Sequence, residues 1–157
     1  MADLKYVTYC GLYCKLCSGV GRMPQLAKAM QDTMKKDHRF LQEALKKGDL
    51  DSLPQGFKSL WLWLESQANP GDKRCRNGCG PPDCAIKKCA QEKGHEVCVY
   101  CDDYPCAHLQ WLVDQDPTII ADGKMLEKIG IDAWIDEQER RCQRGVCYSD
   151  IRWDPID

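Results

Sequence analysis

The chain has little from which to build an ordinary apolar core. Two Phe stand among its 157 residues, so Leu, Met and the five Trp are left to do most of the burying. A chain of this length reads as a single domain, and so thin a core calls for another staple. No stretch approaches the roughly 20 apolar residues that span a bilayer, so no membrane partner is expected. The opening Met-Ala-Asp-Leu-Lys-Tyr lacks a basic run followed by an apolar one, which predicts no secretory leader and a cytoplasmic location. A basic excess is missing too: the formal net charge is -2, and nucleic acid is not indicated as a partner. Cys10-Gly11 and Gly19-Val20-Gly21 lack the strand–turn–helix setting of a phosphate-binding loop. Nor is there a run of alternating strand residues. The expected fold class is therefore mostly α, a small helical domain with cysteine-rich metal-binding loops and little or no sheet.

Cysteine is what the chain has in excess, with twelve in all. Cys10, Cys14 and Cys17 open the chain, and a cysteine-free stretch follows to Arg74. A dense block then carries Cys75, Cys79, Cys84, Cys89, Cys98, Cys101 and Cys106, and Cys142 and Cys147 form an outlying pair. In a reducing compartment clustered cysteines bind metal more often than they pair as disulfides. One domain over 1–157 divides on this basis into an N-terminal cysteine motif (1–21), a helical segment (22–71), a cysteine-rich metal-binding block (72–108) and C-terminal helices (109–157).

In the helical segment, Leu26, Met30 and Met34 recur every four residues. Phe40, Leu41, Ala44 and Leu45 make a second stripe, which ends at Gly48. Leu53, Phe57, Leu60, Trp61 and Leu64 make a third, stopped by Asn69-Pro70-Gly71. Leu62 and Trp63 widen its apolar arc, which suits a central helix better than an exposed partner-binding face. Further helices are expected over Ala85–Lys93, from a start at Asp102-Asp103-Tyr104-Pro105 with Cys106, Leu109, Leu112 and Val113 on one face, over Lys124–Ile129, and over Asp132–Arg144. On the last, Trp134, Ile135, Gln138 and Cys142 line one side. Asp136–Arg140 and Glu137–Arg141 are spaced for i,i+4 ion pairs on the other.

The chemistry follows from the thiolates. Zinc takes four at tetrahedral angles, and Cys14-x2-Cys17 and Cys98-x2-Cys101 suit tight turns that aim two sulfurs at one ion. Lys15, Lys73, Arg74, Arg76, Lys87 and Lys88 lie beside cysteines, where an anionic thiolate centre favours cations. An iron–sulfur cluster uses the same ligands, and spacing alone does not separate the two. The opening C-x3-C-x2-C matches radical S-adenosylmethionine enzymes, but Leu16 stands where those enzymes carry an aromatic, and the β/α alternation of their barrel is absent. His95 or His108 could complete a mixed site, while His38 reads as a surface residue. No catalytic residue is singled out.

"CGLYCKLC", "CRNGC", "CAIKKCAQEKG", "CVYCDDYPCAHL" and "IGIDAWIDEQERR", in that order, resemble domain-of-unknown-function family 3795, cysteine-rich proteins of prokaryotes. The resemblance runs from Cys10 to Arg141, apart from the stretch between Gly19 and Asp72. It implies zinc binding with no assigned activity, through Cys10, Cys14, Cys17, Cys75, Cys79, Cys84, Cys89, Cys98, Cys101 and Cys106. Cys142 and Cys147 fall outside the pattern, as spare thiols, a third site or a disulfide. Ten cysteines exceed the eight that two four-cysteine zinc sites need, and two structural zincs are expected. Each is expected to join the N-terminal motif or the Cys75–Cys89 segment to the Cys98–Cys106 segment. Three functions remain open: a metal-stabilised binding module for a protein or small-molecule partner, with an apolar groove beside Trp61 and Trp63; a redox or metal-handling protein with labile thiols; and a metal-dependent enzyme.

Overall fold

A computed structural model describes residues 3–116 and 118–152. Among them are eight α-helices, several short 3-10 turns and no strand, with one isolated antiparallel bridge between Val7 and Tyr13. None of the described helices is long and apolar enough to cross a membrane. The chain forms two compact units, one of residues 22–71 and the other of residues 1–21 with 72–157.

The first unit holds α1 (Met23–Asp37), α2 (Arg39–Lys47) and α3 (Gln55–Ala68). Pro24 opens α1, where a missing N–H costs nothing. Gly48 ends α2 at φ 66°, a left-handed C′ position, and the next amide, Asp49 N–H, reaches back to the Ala44 carbonyl at 2.9 Å. The core is Ala27, Met34, Leu41, Ala44, Leu53, Trp61 and Leu64. Two sequence expectations need correction here. On α1 the buried stripe is Ala27, Gln31 and Met34, while Leu26 and Met30 are 56% and 47% exposed. Ala27 is small enough to let α3 approach α1 closely, and that approach turns Leu26 outward. On α3 only part of the wide apolar arc is covered: Trp61 and Leu64 are buried, but Leu60, Leu62 and Trp63 are exposed, the last at 51%. The helix is amphipathic in use, and it is not a central one.

The second unit holds α4 (Ala85–Glu92), α5 (Ala107–Gln115), α6 (Thr118–Ile129), α7 (Ile131–Gln143) and the single turn α8 (Tyr148–Arg152). Its main core joins Val7, Tyr13 and Leu16 to Val97, Val99, Leu126, Trp134 and Tyr148. A smaller one, Ile86, Leu109 and Ile119, lies among Cys10, Cys84, Cys98 and Cys106. The helix expected to start at Asp102–Pro105 begins instead at Ala107, with Cys106 as its N-cap residue. Tyr104 N–H closes a turn on the Cys101 carbonyl, and Asp103 is held by Lys93, so the acidic pair belongs to that turn.

The helix expected over Lys124–Ile129 starts six residues earlier, at Thr118. Gly123 lies mid-helix, where a Cβ would strike the Tyr104 hydroxyl and crowd Val99. The i,i+4 pairs expected on α7 are also replaced. Arg140 pairs with Glu137 at i,i+3, while Arg141 turns inward to the buried Asp122 of α6 at 2.8 Å and to Gln138. All twelve cysteines are free thiols, so Cys142 and Cys147 form no disulfide.

Candidate metal centre

Both C-x2-C pairs fold in the same way. Cys14–Leu16 and Cys98–Tyr100 are single 3-10 turns, and in each the amide of the second cysteine donates to the carbonyl of the first at 3.0 Å. An i→i+3 turn is the geometry that sets two side chains three residues apart on one side. Cys75–Asn77 forms a third such turn and ends at Gly78. Cys84 and Cys106 occupy the N-cap positions of α4 and α5, and Cys89 lies inside α4.

The N-terminal motif is fixed by its own loop. Thr8 and Leu12 bond backbone to backbone at 2.9 Å, and Thr8 Oγ1 accepts from Leu12 N–H at 2.8 Å. This closes a tip carrying Tyr9, Cys10 and Gly11. Gly11 has φ 93°, a left-handed conformation that favours glycine, and packs beside Val99. Tyr9 O then accepts from Cys98 N–H at 2.8 Å, bringing the two cysteine segments side by side. Arg76 completes the junction: its guanidinium donates to the Val7 and Glu96 carbonyls at 2.8 and 2.6 Å and stacks over the Tyr9 ring.

Two cavities result. Cys89, Cys98, Cys101 and Cys106 line a small one of about 20 Å³, together with Lys93, His95 and Tyr104. Cys10, Cys75, Cys79 and Cys84 line a larger one of about 140 Å³, with Tyr9, Lys87 and Trp111. The N-terminal motif therefore meets the Cys75–Cys84 segment, whereas Cys89 meets the Cys98–Cys106 segment. Among the described residues, no group of three or more His, Cys, Asp or Glu side chains is drawn together closely enough to hold an ion as it stands. The sulfurs face common spaces without converging on a point.

Burial keeps several of these thiols neutral. It pushes Cys98 up to about 12, with Cys10, Cys106, Cys89 and Cys101 adding to the rise. Cys14 is pushed up to about 11 by burial, opposed by a hydrogen bond from the Cys75 backbone and reinforced by Cys75, Cys79 and Cys17. Cys10 is also raised by burial, against the Thr8 hydroxyl 3.1 Å from its Sγ. Neutral buried thiols are poor nucleophiles, but a cation deprotonates them outright.

The cations sort differently from the sequence expectation. Lys15, Arg74 and Lys88 pair with Glu139, Asp72 and Asp83, while Lys87 lines the larger cavity. The lysine touching a thiol is Lys93, 3.5 Å from Cys101 Sγ and 2.7 Å from Asp103. The signal for it was its place one helical turn after Cys89. Of the histidines, His95 lines the small cavity, while His108 is exposed on α5.

No curated protein and no solved structure matches the chain. A family model described as a protein of unknown function, DUF3795, matches residues 6–111. That span takes in the opening cysteine motif, the whole dense block and every cysteine that lines the two cavities. The chain belongs to the DUF3795 family.

Proposed function

We propose that the protein is a zinc-binding module in which thiolate-held ions fix the fold of a binding domain. The observation that carries this reading is the small cavity. Four cysteines from three separate elements line a space of about 20 Å³, room for one water-sized occupant. The donor set suits a thiophilic ion: four sulfurs with His95 at the wall, no carboxylate, and Lys93 beside them to offset negative charge. Cys89, Cys98, Cys101 and Cys106 would hold zinc there, tying α4 to the 3-10 turn and to the start of α5. Four protein thiolates leave no open position, which makes such a site structural. The exposed Leu60, Leu62 and Trp63 of α3 are the kind of surface an interaction module presents.

A second reading, metal handling, draws on Cys17 and Cys79, which are exposed. Ions held partly by exposed thiolates exchange faster than enclosed ones, and such thiols react with alkylating agents while the fold persists. Elemental analysis of anaerobically purified protein tests the main reading. Zinc is expected, and it should fall by one equivalent in Cys98→Ser. A zinc-free folded chain, or iron with acid-labile sulfide, would contradict it.

A further inference from the structure

Among the side chains that line the small cavity is one lysine, and the end of α4 places it. Lys93 follows the last residue of that helix, and its N–H donates to the Cys89 carbonyl at 3.0 Å. The chain then reverses at Gly94, and His95 N–H reaches back to the Ala90 carbonyl at 2.8 Å. This cap pins the Lys93 backbone one turn after Cys89. Its ammonium crosses to the facing loop, where it lies 3.5 Å from Cys101 Sγ and 2.7 Å from the Asp103 carboxylate. That loop is itself closed at both ends of Cys101. The Cys101 N–H donates to the Cys98 carbonyl at 3.0 Å, and the Cys101 carbonyl accepts from Tyr104 N–H at 2.9 Å. Lys93 thus links two of the four cysteines, by backbone to Cys89 and by side chain to Cys101.

The contact is selective. Among the described residues, Cys101 is the one of the four whose sulfur meets a side-chain donor. Of the four, Cys101 also lines a wide groove, beside the exposed Tyr100, Asp102 and Glu127. It is therefore the sulfur that a chelator or an electrophile arriving by that groove meets. We propose that Lys93, steadied by Asp103, positions and shields Cys101: its ammonium donates to the sulfur at the open side of the site and so governs how fast a metal held there exchanges.

The proposal rests on the zinc reading above and adds control of exchange to it. A sulfur bound to a cation keeps lone pairs and negative charge. A donor outside the coordination shell fixes its direction and occupies the side from which it would be attacked. Lys93 is a positioning residue in this account, since it acts on the site through Cys101. The Lys93 and Asp103 side chains are 43% and 69% exposed, so the pair is open to screening by salt. That exposure makes the shield adjustable, where an enclosed pair would be fixed.

The test follows zinc transfer to an excess of chelator, and alkylation by iodoacetamide mapped to each cysteine by mass spectrometry, on the anaerobically purified full chain. Lys93→Met keeps the aliphatic bulk and removes the donor. Zinc at this site is then expected to be held about tenfold more weakly, the low end for loss of an outer partner, and to pass faster to the chelator. Cys101 should become the first of the four cysteines to be alkylated. Lys93→Arg, which keeps a donor and the charge, should retain most of the protection, and Asp103→Asn should lose part of it. Added salt should speed release from the unmutated protein and leave Lys93→Met unchanged. With zinc bound, an unaltered release rate and alkylation order in Lys93→Met would overturn the proposal and leave the zinc reading intact. An equal rise in alkylation at Cys89, Cys98, Cys101 and Cys106 would overturn it too, because that is what mere loosening of the end of α4 produces. A folded chain without zinc would overturn both. If Lys93→Met does not fold, Asp103→Asn and the salt dependence of the unmutated protein decide the matter.

Discussion

At the scale of single residues, the second unit depends on a buried polar chain that no spacing rule anticipates. The Tyr148 hydroxyl accepts from Tyr13 N–H at 2.8 Å and lies 3.3 Å from Asp122, which in turn meets Arg141. Tyr148→Phe leaves the Tyr13 amide unpaired in the core, and a loss of about 1–3 kcal/mol in urea unfolding is expected. Burial and the nearby Asp122 hold the Tyr148 phenol well above its ordinary 10.0. A raised acid stabilises the fold as long as it stays neutral, so this contribution is whole below about pH 10 and is lost as pH climbs through the raised value. Wild-type stability should therefore fall more steeply above pH 10 than that of Tyr148→Phe. Burial likewise raises Asp122, against the pull of Arg141. Arg141→Met strips that carboxylate of its partner and is expected to cost about 3–5 kcal/mol, with part of the loss recovered in the Asp122→Asn double variant. From sequence, Arg141 reads as one half of a solvated pair with Glu137. What turns it inward is Asp122, 19 residues away, a contact that only the packing of α6 on α7 creates.

At the scale of elements, the sequence was legible wherever a local rule governs. Gly48 ends α2 as its position suggests, Asn69-Pro70-Gly71 stops α3, and α4 and α7 lie within a residue of their expected bounds. The failures occur where a neighbouring element decides. The helix expected from Lys124 runs from Thr118 through Gly123, against which Tyr104 packs, and Leu26 is exposed while Ala27 is buried. The C-x2-C spacings announced tight turns, and both proved to be 3-10 turns closed at 3.0 Å. That the Cys75–Cys89 segment would meet Cys98–Cys106 was expected, but that Cys89 is the residue that does so, while Cys84 faces Cys10, was not legible, because pairing among ten like residues leaves no trace in their order. An element-scale prediction follows from that gathering. Chelation of the metals should raise hydrogen exchange at the amides of Cys98–Tyr104 and the first turn of α5. The α1–α3 unit, with its own core of Leu41, Trp61 and Leu64, should keep its protection. Equal loss of protection in both units would show that the ions do not act locally.

At the scale of the whole molecule, three modest cores and twelve free thiols make up a chain that apolar burial alone secures poorly. Ions bound in the thiol cavities, as proposed, would couple folding to metal binding, because affinity spent on deprotonated sulfur is stability of the folded state. On the proposed zinc reading, that coupling would help to hold the N-terminal motif against the dense block, from which a long cysteine-free stretch separates it. The central claim is that sulfur-bound zinc holds this part of the molecule. X-ray absorption at the zinc edge on anaerobically purified protein tests it most directly. The account predicts a first shell of sulfur alone, about four per zinc at about 2.3 Å. A shell containing nitrogen or oxygen, or a folded protein that shows no zinc edge, would contradict it.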